Sequence, residues 1–520
     1  MGDTTSKVSR SDPDWDARGR AWWSHVRVLA DDSMEGRDTG SAGYQRAADY
    51  VIEQFRSAGL EPAGIEGYRQ PVDFDVFQLD EAASSLSLVR DGSTYPLTLR
   101  KEAQIVATSG TAPELEAGVV FAGYGLEIPE YGYSDLDGLD LRGKIAVYFR
   151  GGPAELPAPV RAHYQSWSER ARAMRKAGAV GTALMLDPNV PDLPWDRLAA
   201  WLPQPRMDLK EVDPEDPLPL SLALFYNPEH LDLLLAGSGH TAAEVMAGLG
   251  KPGPIPRFPL DVRLRARAKV NRSTARCTNV VGVLPGSDPA LRSEYVVGTG
   301  HLDHLGIGEP VNGDSIYSGA MDNASGVAAL IEMARVTKES GERPKRSLLF
   351  LAVTGEEKGL LGSEYFAKHP SVAGPLVADL NVDMFLPLYP LKHLEVPGLG
   401  ESSLGQELKD LAGPLGVEAH PEHIPDQVTF IRSDQYNFVK KGIPSLMISV
   451  GYAKGTPEEE GFKSFLRDRY HAPADDADQP VNFATAGQFV DLVRRLMLQV
   501  ANDPERPRWN SDSFFRKFAR

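Results

Sequence analysis

A single cysteine, Cys277, stands in 520 residues, so no disulfide can form within the chain. That scarcity leaves the compartment open, because exported bacterial proteins often lack disulfides and cytosolic ones usually do. Basic side chains are in deficit as well: 55 Lys and Arg against 72 Asp and Glu give a net charge of -17. A surface of that sign argues against nucleic acid or an anionic membrane as partner, since both need clustered cations. No apolar run approaches the roughly 18 residues of a membrane span, and the start MGDTTSKVSRSDPDW has no signal-peptide apolar core. Length is ample for a large core and suggests about three domains' worth of chain, with one or two also compatible.

Periodicity divides what is present. Residues 1–20 read as a polar tail, and Ala21 to Ala30 as a short helix. Between Tyr44 and Ala58, Ala48, Val51, Ile52 and Phe55 recur at helical spacing before Gly59, which predicts an amphipathic helix that needs a sheet to cover. SLSLVRDGSTYPLTL predicts a hairpin turning at Asp91 and Gly92. From about Leu115, VVFAGYGL, GKIAVYFRGG, a helix near ARAMRKAG and the strand GTALML form a small α/β unit. Its expected linkers are the Pro-rich stretches Asp213 to Pro219 and Lys251 to Pro259. VRLRARAKV alternates apolar with basic residues, the pattern of a half-exposed strand. After Thr278, strands and helices alternate, which implies a mostly parallel sheet covered by helices. Residues 503–520 read as a polar tail.

The chemistry concentrates in the second half. Tyr295, Val296 and Val297 open a buried strand that delivers His301 and Asp303 at its C-terminal end, where open α/β sheets place their ligand sites. Residues i and i+2 of a strand share a face, so Asp303 is expected to accept a hydrogen bond from the ring nitrogen of His301 that faces away from a metal. Asp322 lies in the turn SGAMDNASG, just before a helix in which Val327, Leu330, Ile331 and Ala334 repeat at helical spacing. SLLFLAVTGEE ends a strand with the adjacent carboxylates Glu356 and Glu357, NVDMF carries Asp383, and DRYHAPADD carries His471. Taken singly, each has an ordinary explanation: a hydrogen-bonded histidine, a helix N-cap, a solvated turn. His304, His369, His420 and His423 are read as surface histidines. As a set, His301, Asp322, Glu357, Asp383 and His471 are nitrogen and oxygen donors suited to zinc. Five donors imply two ions bridged by Asp322, with Glu356 as general base toward the water between them.

GHLDHLG, SGAMDNASG, TGEEKGLLGSEYF, NVDMF and YHAPADD, in this order, resemble the metal motifs of the co-catalytic di-zinc aminopeptidases, the leucine aminopeptidase and glutamate carboxypeptidase-like zinc exopeptidases. SMEGRDTGSAGYQRAADYVIEQF and RSDQYNFVKKGIPSL resemble further stretches of that family, and VVFAGYG with LRGKIAVYFRGG resembles an inserted protease-associated domain. The resemblance implies that His301 and Asp383 hold one zinc, Glu357 and His471 the other, and Asp322 both, with Asp303 orienting His301 and Glu356 as base. Asn323 stands where many relatives have a second Asp, without removing a ligand.

The expected fold is therefore a three-layer α/β sandwich on a mostly parallel sheet: residues 21–112 and 271–502 as the peptidase domain, 113–270 as the protease-associated insertion. The expected function is cleavage of the N-terminal peptide bond of peptides, in a protein secreted or periplasmic like its relatives. Alternatives are a di-metal carboxypeptidase or other amidohydrolase, and a non-catalytic receptor, which would be expected to lose ligands. Arg432 is a candidate for gripping a substrate carboxylate and Tyr436 for an oxyanion-stabilising hydroxyl. The insertion is expected to cover or narrow the cleft, or to serve as a spacer.

Overall fold

The computed structural model describes residues 14–190, 194–211 and 219–519. Strands whose side chains are nearly all apolar are buried on both faces. Ser347–Val353, buried at every position, lies at the centre of the first sheet. Tyr295–His301 runs parallel to it, followed outward by the parallel strands Leu376–Asn381 and Ser445–Met447. On its other side lie Val270–Leu284, Arg69–Leu79 and Arg206–Leu209, each antiparallel to its neighbour. Alternation along the strands sends Val296, Leu348 and Phe350 toward the helices Trp15–Leu29, Ala42–Ser57, Ser325–Ser340 and Phe483–Asn502. Val297, Leu349 and Leu351 point the other way, against Phe366 and Phe438 of Leu361–Lys368 and Gln435–Lys440. The result is a three-layer sandwich. In it, His301, Glu357 and Asp383 follow the C-terminal ends of parallel strands, on one edge.

A second sheet runs in the order Ser93–Leu97, Ser85–Arg90, Arg257–Arg267, Glu114–Ala122, Ile145–Phe149, Gly181–Met185, Leu222–Tyr226, Ala103–Ile105. The hairpin forms as its turn residues predict, with Asp91 and Gly92 both at positive φ. It belongs to this sheet, however, so the second unit starts near residue 85 and the boundary at 112/113 is corrected. Turn chemistry fixes a hairpin but not which sheet its edge joins; here Ser85–Arg90 pairs with Arg257–Arg267. The chain also returns once: Arg206–Leu209 docks on the edge of the first sheet through Arg69–Leu79. In Arg257–Arg267 the basic residues alternate outward, and Arg263 and Arg265 both bind Glu116. Most of the expected linker from Asp213 to Pro219 lies outside the described residues, while Lys251 to Pro259 runs into that strand.

Both expected tails are partly structured. The first helix begins at Trp15, capped by the Asp14 carboxylate, because Arg18 and Arg20 mask an apolar stripe of Trp22, Val26 and Leu29. At the other end Phe515 is fully buried against Phe430, Tyr436 and Val439, and Trp509 Nε1 donates to the Gly442 carbonyl. Isolated aromatics in a polar stretch carry no period and so escape a periodicity search.

That aromatic seam joins the two units. His163, on Ala158–Gln165 of the second, lies with Nδ1 2.8 Å from Tyr436 Oη and rings of Tyr164, Phe514 and Phe518 around it. Burial, then the nearby Lys517 ammonium, lowers its pKa from 6.5 to about 3. A histidine depressed in the folded state binds protons mainly after unfolding, so its stability contribution falls as pH drops from 6.5 toward 3. The thermal midpoint of His163→Gln relative to wild type should therefore shift in the variant's favour between about pH 7 and about pH 4.5. A pH-independent difference would show that this ring does not titrate against the seam.

Candidate metal centre

Strand Tyr295–His301 ends on a histidine that is 1% exposed. Its Nδ1 lies 3.1 Å from the backbone carbonyl of Asp303, which can only accept, so the proton sits on Nδ1. Nε2 faces Asp322 Oδ1 at 3.2 Å and Asp383 Oδ1 at 3.3 Å. Across Asp322, His471 Nε2 lies 3.2 Å from Asp322 Oδ2 and 3.4 Å from Glu357 Oε2. Two imidazole nitrogens thus face buried carboxylate oxygens, a donor set that suits cations. Spacings of 3.2–3.4 Å match the edge of a tetrahedron, about 3.3 Å for zinc bonds of roughly 2.0 Å. The donor set fits two zinc ions: His301 with Asp383, His471 with Glu357, and Asp322 facing both.

Neighbouring loops hold the donors in place. Gly319, at φ +58°, lets the turn pass over the His304 ring, where a Cβ would approach within 2.5 Å. Asp475 accepts from the backbone N–H groups of Met321 and Asp322 at 2.9 and 3.0 Å, fixing the direction of the Asp322 side chain. Asn323 accepts from Gly326 N and donates to the Val382 carbonyl, tying this turn to the strand end that carries Asp383. Ser433 Oγ donates to Asp383 Oδ2 at 2.6 Å, and Asn381 Nδ2 donates to Ser433 Oγ. Arg37, fully buried, donates to the carbonyls of Leu29, Leu302, Ser318 and Gly319 and so locks the first helix to both metal-site loops. Desolvation lowers its pKa to about 10, opposed by the charges of Asp322, Asp475, Asp303 and Glu357.

Three expectations need correction. His304 is fully buried rather than on the surface: its Nδ1 lies 2.8 Å from Glu357 Oε1, and its Nε2 is buried with no hydrogen-bond partner. The strand ends one residue after Gly300, which frees His304 from the alternation that would have turned it outward. Asp303 holds His301 through its carbonyl, while its carboxylate, 4.0 Å from the ring, accepts from Thr39 Oγ1 and the N–H groups of Glu356 and Glu357. It thereby shapes the turn bearing both glutamates. Tyr436 is 3% exposed, with its hydroxyl committed to His163 in the seam, so it is not an oxyanion donor. Arg432 donates to the Gln427 carbonyl at 3.4 Å, one residue before Ser433.

Electrostatics separate the paired glutamates. Burial alone would raise Asp322, but hydrogen bonds and charge from His301, His304 and His471 hold it well below the carboxylate range. Glu357 is held low by His471 and His304 against the same burial penalty. Glu356 goes the other way: burial, opposed by His301 but reinforced by Glu357, Asp383 and Asp434, pushes it well above its usual value. Asp434, whose buried oxygens have no hydrogen-bond partner, is pushed up to about 7 by burial.

Residues 279–497, which contain all of these donors, match peptidase family M28. They form a peptidase family M28 domain. A "Probable zinc metalloprotease" of Pyrenophora teres f. teres is 37% identical over 108 residues, which cover 21% of this chain and 22% of that protein. A "Probable glutamate carboxypeptidase VP8" of Zea mays is 26% identical over 367 residues, covering 66% of this chain and 47% of that one. The chain thus spans between about a fifth and a half of the curated relatives it matches. The aminopeptidase from Aneurinibacillus sp. strain AM-1 superposes with a TM-score of 0.58 at 19% identity, over 94% of this chain and 96% of that chain. Its likeness extends beyond residues 279–497 and covers both sheets, so the two proteins share their fold as a whole.

Proposed function

We propose that the chain is a two-zinc aminopeptidase. The observation that carries this reading is the opposed pair His301 and His471, each with a ring nitrogen 3.2 Å from a different oxygen of Asp322. When bound, zinc supplies Lewis-acid polarisation of a scissile carbonyl and acidifies water. Glu356, half-buried beside the donors and raised in pKa, is suited to hold a proton and hand it to the leaving amine. His304 orients Glu357, and Ser433 orients Asp383. The carboxylates that line the site favour a substrate that brings a protonated α-amino group.

The insertion, read as a protease-associated domain, then forms one wall of the site through the helix Trp195–Trp201 and the segment that follows it. Trp201 lies with its ring 6.3 Å from that of His471, and the Arg206 guanidinium covers Trp201 at 5.1 Å. Arg197 donates to the carbonyls of Leu466, Arg467 and Tyr470, clamping the helix end that leads into His471. This supports the covering role over the spacer role.

The name of the maize relative favours weighing a carboxypeptidase as well. Aminoacyl chromophores and short peptides distinguish the two. On the aminopeptidase reading N-acetylation stops hydrolysis while C-terminal amidation is tolerated. Release of the C-terminal residue from N-acetylated peptides would reverse the assignment.

A further inference from the structure

Beyond the M28 centre, a small sheet carries a second cluster of metal-binding side chains. His393–Glu395 pairs in parallel with Glu418–His420, and in antiparallel with Ser449–Gly451 on its other side. Leu394 and Val450 point into the core, so the alternate residues His393, Glu395, Glu418 and His420 share the outer face. The third strand places only Ser449 and Gly451 opposite Glu395 and His393, so no bulky side chain covers them.

The cross-strand partner of His420 is Glu395, but both oxygens of that carboxylate are taken by His423, through its N–H at 2.9 Å and its Nδ1 at 3.0 Å. His423 is itself held by stacking on Tyr452, with ring centroids 4.4 Å apart. His420 turns instead to His393, where Nε2 and Nδ1 meet at 3.1 Å. Glu418 Oε2 lies 3.5 Å from the first and 3.8 Å from the second. Two imidazole nitrogens and a carboxylate oxygen converge as a three-donor face open to solvent on one side.

We propose that His393, His420 and Glu418 form a third divalent-metal site, separate from the M28 centre, that takes zinc or another borderline transition-metal ion. Two imidazoles and one carboxylate select such ions over calcium or magnesium, which prefer all-oxygen shells. An ion there staples the segment following Asp383 to the one preceding Ser433, two residues that hydrogen-bond to each other.

The test is zinc stoichiometry and thermal stability of the full chain, measured on metal-stripped protein for wild type, His393→Ala, His420→Ala and Glu418→Gln. The side chains involved are 22%, 37% and 72% exposed, so the variants are expected to fold, with circular dichroism as the check. Each histidine variant should bind one zinc fewer than wild type, however many ions the M28 centre takes, and should lose part of the zinc-induced rise in melting temperature. Glu418→Gln should weaken that same ion, and calcium should produce no such difference between the proteins. Equal zinc stoichiometry and equal zinc-induced stabilisation in wild type and both histidine variants would reduce the cluster to an imidazole hydrogen bond and overturn the proposal.

Discussion

On the proposed two-zinc reading, replacing Glu356 by Gln should lower peptide hydrolysis by roughly 10²–10⁴-fold while metal content and fold are retained. The expectation rests on how differently two adjacent residues are placed. Glu357 is committed: its oxygens face His304 at 2.8 Å and His471 at 3.4 Å, and its pKa is held down. Glu356 has no such commitment. Its N–H is fixed by the Asp303 carboxylate, and burial among like charges favours a proton on its side chain. Gln matches Glu in size and can still hydrogen-bond, but it cannot exchange a proton. Glu357→Gln should instead loosen the ion associated with His471. Metal content and steady-state rates of both variants, measured together, decide the matter, and parallel loss of metal in the two would refute the division of labour.

Asp322→Asn should release both ions at once and take activity to background. Each of its oxygens lies 3.2 Å from a different histidine nitrogen, so among the described residues it is the carboxylate shared by the proposed donor sets of His301 with Asp383 and His471 with Glu357. An amide offers one carbonyl oxygen in place of two anionic ones and leaves an N–H₂ pointing at a lone pair. The substitution preserves volume, and Asp475 grips the backbone rather than the side chain at this turn, so the fold should persist. Asp383→Asn, by contrast, should weaken mainly the ion facing His301. Zinc titration of the stripped proteins provides the comparison. An Asp322→Asn protein that retained two tightly bound ions would remove the shared-carboxylate reading.

Four of the five candidate donors stood out because His301, Glu357 and Asp383 lie at or just after strand ends and Asp322 lies just before a helix, whereas His471 lies in a turn after Pro457–Asp468. Tyr295–His301, Ser347–Val353 and Leu376–Asn381 are short, largely apolar and buried strands, and a parallel sheet brings their C-terminal ends to one edge. The supporting residues were not legible in that way. Arg37, Asp475 and Ser433 act on backbone groups or on carboxylates far away in sequence, and nothing local distinguishes them from surface residues. Two clues were present but weak: Arg37 lies in the SMEGRDTG segment of the family resemblance, and Asp475 follows His471 within YHAPADD.

From the sequence alone follow the parallel α/β class and the zinc-type chemistry of the donors, because residue type and local period determine them. Tertiary structure alone decided that the hairpin at Ser85–Leu97 belongs to the second sheet, that His304 is buried against Glu357, and that Tyr436 faces His163. It also brought His393 beside His420 across a strand pair whose members lie more than twenty residues apart. The physical reason is the same in each case. Period tells which face of an element is apolar, but the partner across a sheet or a seam is chosen by long-range packing, which leaves no local mark.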